Sequence, residues 1–296
     1  MQTMTEKLGI YVALVTPYAK DGTLNPAAQV KLMERNLREG ASGFFLGGSS
    51  AECWLLSHEE RVEIFKTAVP FLSRTHLIAH VGANSTWEAI RFAQEAKALG
   101  YTMIAATPPQ YYGYSPKEIA SYYYDIYQAT GLPVMVYNFP GNTHRDFNLE
   151  DPVYQKLFSS DAIWGIKHTN QVVYQLEQFM RLNPRLKLFN GYDETMIATM
   201  AYGCTGSIGS TFNCLLPHFE KIYHAFDEGR IEEARELQHK ANAIMQAFCK
   251  VGLFPAVKYV CSTLGDDVGV PRRPFTPLTD EQKRYIDDVM DQYFVR

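Results

Sequence analysis

Along the first two thirds of the chain, short apolar runs alternate with longer amphipathic stretches that carry the charge. Eight runs stand out: GIYVALVTP (9–17), GFFLGG (43–48), HLIAHVG (76–82), TMIAAT (102–107), LPVMVYN (132–138), AIWGIK (162–167), LKLFNG (186–191) and the glycine-rich CTGSIGS (204–210). Short runs of this kind, bounded by turn-forming residues, read as buried strands. The stretches between them read as helices. Pro26 opens one that Gly40 stops; Ser57 caps a second, with Glu60 three residues on as a capping box; a third runs from about Ser85 to Leu99 before Gly100; a fourth starts at Pro116.

Strands separated by helical sequence pair in parallel, because a parallel connection needs a crossover of a dozen or more residues. Eight such units predict an α/β fold, a closed (β/α)8 TIM barrel. An open doubly wound sheet fits less well: GCTGSIGS lies late in the chain, whereas the dinucleotide fingerprint belongs in the first strand–helix turn. Beyond Pro217 the pattern changes. Ala234, Leu237, Ala241, Ile244, Met245 and Phe248 share one helical stripe, and further helices are expected over Phe254 to Leu264 and Asp280 to Phe294. The expected organisation is a catalytic barrel over residues 1–225 and a C-terminal helical extension over 226–296.

Composition narrows the partners. A chain of 296 residues is ample for one barrel, and a formal net charge of -4 without like-charge runs gives no footprint for nucleic acid or an anionic membrane. A small-molecule partner is expected. Five cysteines, an odd number with no CxxC pair, suggest neither a disulfide framework nor a zinc site. The N-terminus MQTMTEKLG lacks an apolar signal core, and no stretch reaches the ~18 apolar residues of a membrane span. Cytoplasmic residence is the expectation.

The candidate chemistry centres on DAIWGIKHTN, Asp161 to Asn170, where an uncharged run delivers Lys167 to the open end of a strand. A lysine there snorkels to water, pairs with a carboxylate, or does chemistry. A desolvated amine loses its proton more readily, as attack on a carbonyl to form a Schiff base requires. In such a barrel the chemistry sits at the C-terminal strand ends, and these ends carry Thr16, Gly48, Ser49, Ser50, Glu52, His80, Asn84, Thr107, Tyr137, Asn138, Thr169, Asn190, Asp193, Glu194, Gly209 and Ser210. Each is also explicable as a cap or turn residue. Three ends suggest more. GGSS after the second strand offers a seat for a small carboxylate or a plain turn. Tyr137 carries either a proton-relaying phenol or a backbone-bonded one. Asp193 and Glu194 fall between the seventh strand and its helix, where the helix dipole favours acids, so alone they mean little. Tyr122 to Tyr124 read as packing residues.

VTPY, GGSSAE, YNFP, GIKHT, NGYDE and GSIGSTFN, in this order over nearly the whole chain, resemble the pyruvate-dependent class I aldolases and lyases that include dihydrodipicolinate synthase and N-acetylneuraminate lyase. The resemblance implies a metal-free and cofactor-free Schiff-base aldolase, with Lys167 as the imine lysine and Tyr137 as the proton-transfer tyrosine. Ser49, placed among the catalytic residues, and Ser50 match with the Gly48 backbone the pyruvate-carboxylate loop. One of Tyr111 and Tyr112 matches a catalytic tyrosine that completes a neighbouring subunit's site, which implies a homotetramer. Gly191, Asp193, Glu194, Gly209 and Ser210 match residues that bind a sugar's hydroxyl tail, and Thr169 one that touches substrate near the cleaved bond. The synthases carry an arginine after YNxP where this chain reads Gly141, Asn142, Thr143, His144, which favours the lyase branch and cleavage of N-acetylneuraminate. GNTHRDF and Ser50-Ala51 depart from the lyase pattern too, so 2-keto-3-deoxy sugar acids, as substrates of an aldolase or dehydratase, and a synthase-like activity remain alternatives. A non-catalytic pyruvate or sugar-acid sensor on the same barrel is a remoter one.

Overall fold

The computed structural model describes residues 7–294. The N-terminal MQTMTE, the ends of the expected barrel and extension at residues 1–6 and 295–296, and what was read there lie outside the described residues. Eight parallel strands close into a barrel in the order β1 to β8: β1 Gly9–Ala13, β2 Gly43–Leu46, β3 His76–His80, β4 Met103–Ala106, β5 Val134–Asn138, β6 Ile163–His168, β7 Lys187–Asn190 and β8 Gly206–Gly209. The helices are α1 Pro26–Arg38, α2 His58–Ala68, α3 Thr86–Ala98, α4 Pro116–Thr130, the single turn α5 Pro140–Thr143, α6 Pro152–Phe158, α7 Tyr174–Leu182 and α8 Met196–Ala201. Four more follow the last strand: α9 Phe212–Asp227, α10 Ile231–Val251, α11 Leu253–Thr263 and α12 Asp280–Tyr293. The chain groups into two compact units, one of Val69–Ile208 with the N-terminal residues up to Leu8, the other of Gly9–Ala68 with Gly209 onward.

The first unit holds β3 to β8. Its strands are buried at nearly every position, as parallel strands covered on both faces must be. Ser115 and Glu118 form a capping box that starts α4, and the tyrosines that follow are packing residues. The Tyr122 hydroxyl meets the backbone of Ala83, and Tyr123 donates to the Ala106 carbonyl. A register shift between β5 and β6 decides where the chemistry falls. Val134 pairs with Ile163 but Met135 with Gly165, so one extra residue, Trp164, is taken up in β6. Its indole N–H donates to the Ile104 carbonyl at 3.1 Å. Because side chains alternate, this shift sets Lys167 rather than Ile166 opposite Tyr137, on the same face of the sheet.

The second unit holds β1, β2 and the C-terminal helices. β1 ends four residues earlier than its apolar run, because Asn213 replaces the ladder there. Its amide donates to the Ala13 carbonyl at 2.7 Å and its oxygen accepts from the Val15 N–H at 3.1 Å. β2 stops at Leu46 because Gly47, at φ +67°, turns the chain. The expected box at α2 is present: Glu60 accepts from the Ser57 N–H at 2.9 Å and Ser57 from the Glu60 N–H at 3.2 Å. α10 packs on α9 and α12 and buries Ala234, Ala241, Ile244, Met245 and Phe248 of the expected stripe, while Leu237 is only half-buried beside buried Gln238. Among the described residues no single helix is long and apolar enough to cross a membrane, none of the five cysteines forms a disulfide, and no cluster of metal-ligating side chains occurs.

Candidate active site

In the first unit, Lys167 and Tyr137 are the paired residues near the C-terminal ends of β6 and β5, and both are buried, 4% and 3% exposed. The Lys167 Nζ lies 4.0 Å from the centre of the Tyr137 ring. That ring is fixed from two sides. Phe139 stacks on it at 5.7 Å and 14°, and His80 from β3 meets it edge-on at 5.8 Å. His80 in turn accepts the Thr107 N–H at its Nε2, at 3.3 Å. The arrangement holds an amine and a phenol together in a largely dry place, which suits capture of a ketone and movement of a proton.

The residue beside the lysine faces the other way and serves as an anchor. His168 is buried between Val172, whose carbonyl lies 3.1 Å from Nε2, and Asn138, whose amide lies 3.4 Å from Nδ1. The neutral tautomer with its proton on Nε2 satisfies both contacts. Burial pushes its pKa down to about 4, against a smaller upward pull from the Val172 carbonyl. Asn138 also donates to Gln175, which donates to Asp146 and to the Phe147 carbonyl. The GNTHRDF segment is thereby tied to the back of β5 and β6. Its single arginine, Arg145, donates to the Tyr112 carbonyl.

Thr169 follows β6, its N–H bonded to the Asn138 carbonyl at 2.8 Å. Its hydroxyl is buried and has no hydrogen-bond partner among the described residues, a state shared by those of Thr107 and Ser207. Such groups cost free energy unless a ligand or water satisfies them. A Cβ at Gly191 would fall 1.9 Å from the Thr169 hydroxyl, so only glycine fits after β7. Asn190 then holds the following turn through the Tyr192 carbonyl at 2.7 Å. Asp193 is buried and Glu194 half-buried in that turn; burial raises the Glu194 carboxyl above its ordinary pKa. Tyr192 meets Phe139 edge-on, continuing the aromatic row from Tyr137.

In the second unit, the loop after β2 folds as one tight turn over Ser49–Ala51. Gly48 is required by space, since a Cβ would stand 2.5 Å from the Phe45 ring. Ser50 is buried, and its hydroxyl lies 2.6 Å from that of Ser210, just beyond Gly209 at the end of β8. These two predicted residues are therefore brought together by the fold. Glu52, two residues on, is buried in an ion pair with Lys258 of α11.

Tyr111 and Tyr112 are not gathered into either group: they lie 79% and 64% exposed on the loop before α4. Sequence reading missed the anchoring role of His168, the supports His80 and Phe139, and the Lys258 partner of Glu52. His80 and Glu52 had been legible as polar strand ends. Lys258 is separated from its partner by about 200 residues and no local pattern marks it.

Comparison with known proteins places these features in company. The model of the dihydrodipicolinate synthetase family matches residues 6–293. The chain is 40% identical to an N-acetylneuraminate lyase of Rhizobium meliloti (strain 1021) over 92% of its own length and 90% of the relative's. Among solved structures it is similar to CdNal from Clostridium difficile in complex with mannosamine, with a TM-score of 0.92, 31% identity, and coverage of 98% of this chain and 100% of that one. A dihydrodipicolinate synthase from Bacillus anthracis also has a TM-score of 0.92, at 25% identity over 99% and 100% of the two chains.

Proposed function

The chain belongs to the dihydrodipicolinate synthetase family, and from that premise we propose that it is a Schiff-base aldolase that cleaves N-acetylneuraminate to N-acetylmannosamine and pyruvate. The observation that carries the reading is the Lys167 amine held 4.0 Å over the Tyr137 ring, both buried and paired in register. The 40% identity to the Rhizobium meliloti lyase supports the choice of substrate.

The neutral Lys167 amine adds to the C2 ketone of the open-chain sugar acid, and loss of water leaves a protonated imine. Beside the protonated imine Tyr137 releases its own proton to water and, as the phenolate, takes the proton of the C4 hydroxyl; the C3–C4 bond breaks, and its electron pair moves into the imine to give an enamine. N-acetylmannosamine departs as the aldehyde. A proton returned to C3 restores the imine, and water releases pyruvate and the amine. The iminium is the electron sink that a metal would otherwise supply. Gly48, Ser49 and Ser50 bind the carboxylate in this scheme, Thr169 contacts the substrate near the bond that breaks, and Gly191, Asp193, Glu194, Gly209 and Ser210 bind the hydroxyl tail. Carboxylates are apt partners for vicinal hydroxyls, each oxygen accepting one of their hydrogen bonds. On the same reading residues 1–225 act as the catalytic barrel and 226–296 support it, and one of the exposed Tyr111 and Tyr112 completes a neighbouring subunit's site in a homotetramer.

A synthase-like activity has less support, because Arg145 is engaged with the Tyr112 backbone and Gly141 to His144 supply no arginine. Cleavage of 2-keto-3-deoxy sugar acids is the competing reading. Pyruvate release from N-acetylneuraminate and from a panel of such acids, compared as kcat/KM, tests the choice. The sialic acid is expected to lead by at least ~100-fold, the discrimination a few well-placed polar contacts provide. A deoxy-sugar acid in the lead would replace the substrate while keeping the chemistry.

A further inference from the structure

Glu52 takes a left-handed backbone conformation, φ +59°, unusual for a side chain of its size. It closes the tight turn that carries Ser49 and Ser50, its N–H bonded to the Ser49 carbonyl at 3.0 Å. Its carboxylate is wholly buried and meets the Lys258 ammonium at 2.7 Å, 0% and 1% exposed respectively. The other carboxylate oxygen accepts the backbone N–H of Arg272 at 2.7 Å. Arg272 itself clasps Glu60 of α2 through both terminal nitrogens, at 2.7 and 2.6 Å. Tyr18, after β1, lies beneath, its ring centre 4.1 Å from the Lys258 Nζ and 4.6 Å from the Arg272 guanidinium. From the same side Thr16 donates to the Ala51 carbonyl at 2.7 Å. The turn is thus held at Ala51 by a hydroxyl and at Glu52 by one ammonium and one backbone N–H.

A buried ion pair is weak evidence for stability, since desolvation offsets its attraction, and an apolar pair often packs as well. Its geometry fixes conformation instead. We propose that Lys258 is a positioning residue for the carboxylate loop: through its ion pair with Glu52 it holds Gly48 to Ser50 in the shape that binds the carboxylate of pyruvate and of the substrate. The inference rests on the aldolase reading above, and it joins α11 of the C-terminal helices to the working of the site.

The pair has a pH signature. Burial lowers the Lys258 pKa to about 8, with Glu52 pulling it back up; Cys261 on the same helix also raises it and Arg272 lowers it. Tyr18, the remaining ionisable group against the amine, has its own pKa raised by burial and by Glu52 and stays neutral. As pH rises past about 8 the ammonium is lost and the loop is released. In Glu52→Gln the ammonium has no countercharge, its pKa falls further, and the loop is released already at neutral pH.

The test is pyruvate capture by borohydride at varied pyruvate concentration, between pH 7 and pH 9, on wild type, Glu52→Gln and the double variant Glu52→Gln/Lys258→Met, whose neutral pair guards against misfolding. At pH 7 the half-saturating pyruvate concentration is expected to rise on the order of tenfold in both variants, the worth of one charge-assisted contact. The capture rate at saturation stays within about twofold, because Lys167 is untouched. By pH 9 the variant-to-wild-type ratio falls toward one, since the wild type has by then released its own loop. Unchanged half-saturation in folded variants, or a ratio constant with pH, overturns the positioning role. A wild type that captures no pyruvate overturns the aldolase reading instead, and the two failures are told apart in the wild-type arm.

Discussion

Acid should lower the stability of the fold through His168, whose buried ring sets the size of the effect. The ring is 1% exposed, donates from Nε2 to the Val172 carbonyl and accepts from Asn138 at Nδ1. Protonation makes Nδ1 a second donor facing an amide that also donates. Burial lowers the folded pKa from 6.5 to about 4. A base with a depressed folded pKa contributes its full stability above the unfolded pKa and loses it as pH falls, because the unfolded chain binds the proton first. The window is therefore pH 6.5 down to about 4. Within it, linkage gives a loss of about 2 kcal/mol by pH 5 and about 3 kcal/mol by pH 4. Urea unfolding of wild type and His168→Gln, at fixed protein concentration from pH 7 to pH 4.5, isolates this share, since carboxylates titrate in both. The variant starts lower at pH 7 and should lose about 2 kcal/mol less than wild type across the window. Parallel curves would refute the reasoning and show that His168 is protonated in the fold as readily as in the open chain.

Two further outcomes are expected. Tyr137→Phe keeps the ring stack with Phe139 and the contact with Lys167 but removes the hydroxyl, so turnover should fall by roughly 10²–10⁴-fold while pyruvate capture changes little; equal losses in steady-state and capture assays would remove the phenol from proton transfer. Gly191→Ala places a methyl 1.9 Å from the Thr169 hydroxyl, so kcat/KM should drop by at least ~10-fold, and adding Thr169→Ala should restore part of the fold's stability without restoring activity. Wild-type kinetics in Gly191→Ala would show that Thr169 is not held where a substrate meets it.

Much of this was written in local pattern. Eight apolar runs with helical intervals led to the closed barrel, and Lys167 and Tyr137 were readable because each ends such a run. Strand ends were less readable: β1 stops at Ala13, four residues before its apolar run does, because Asn213 from α9 takes over the hydrogen bonds. The pairing of Tyr137 with Lys167 was also hidden, since it depends on the extra residue Trp164 in β6, and apolar content alone does not report register. The partner of Glu52 was out of reach for the same reason, an ion pair joining residues 52 and 258 having no trace in either neighbourhood. GGSS announced a polar loop, but its contact with Ser210 required the fold.

Lys258 also supplies the sharpest control on the chemistry. Among the described residues two lysines are buried, Lys167 and Lys258, and burial lowers the pKa of Lys258 to about 8, so a suppressed ammonium does not by itself identify the reacting amine. Borohydride reduction in the presence of pyruvate, followed by peptide mass mapping, identifies it. The expected product is one reduced pyruvate adduct per chain, on Lys167; an adduct on Lys258 or elsewhere, or none, would contradict the Schiff-base assignment.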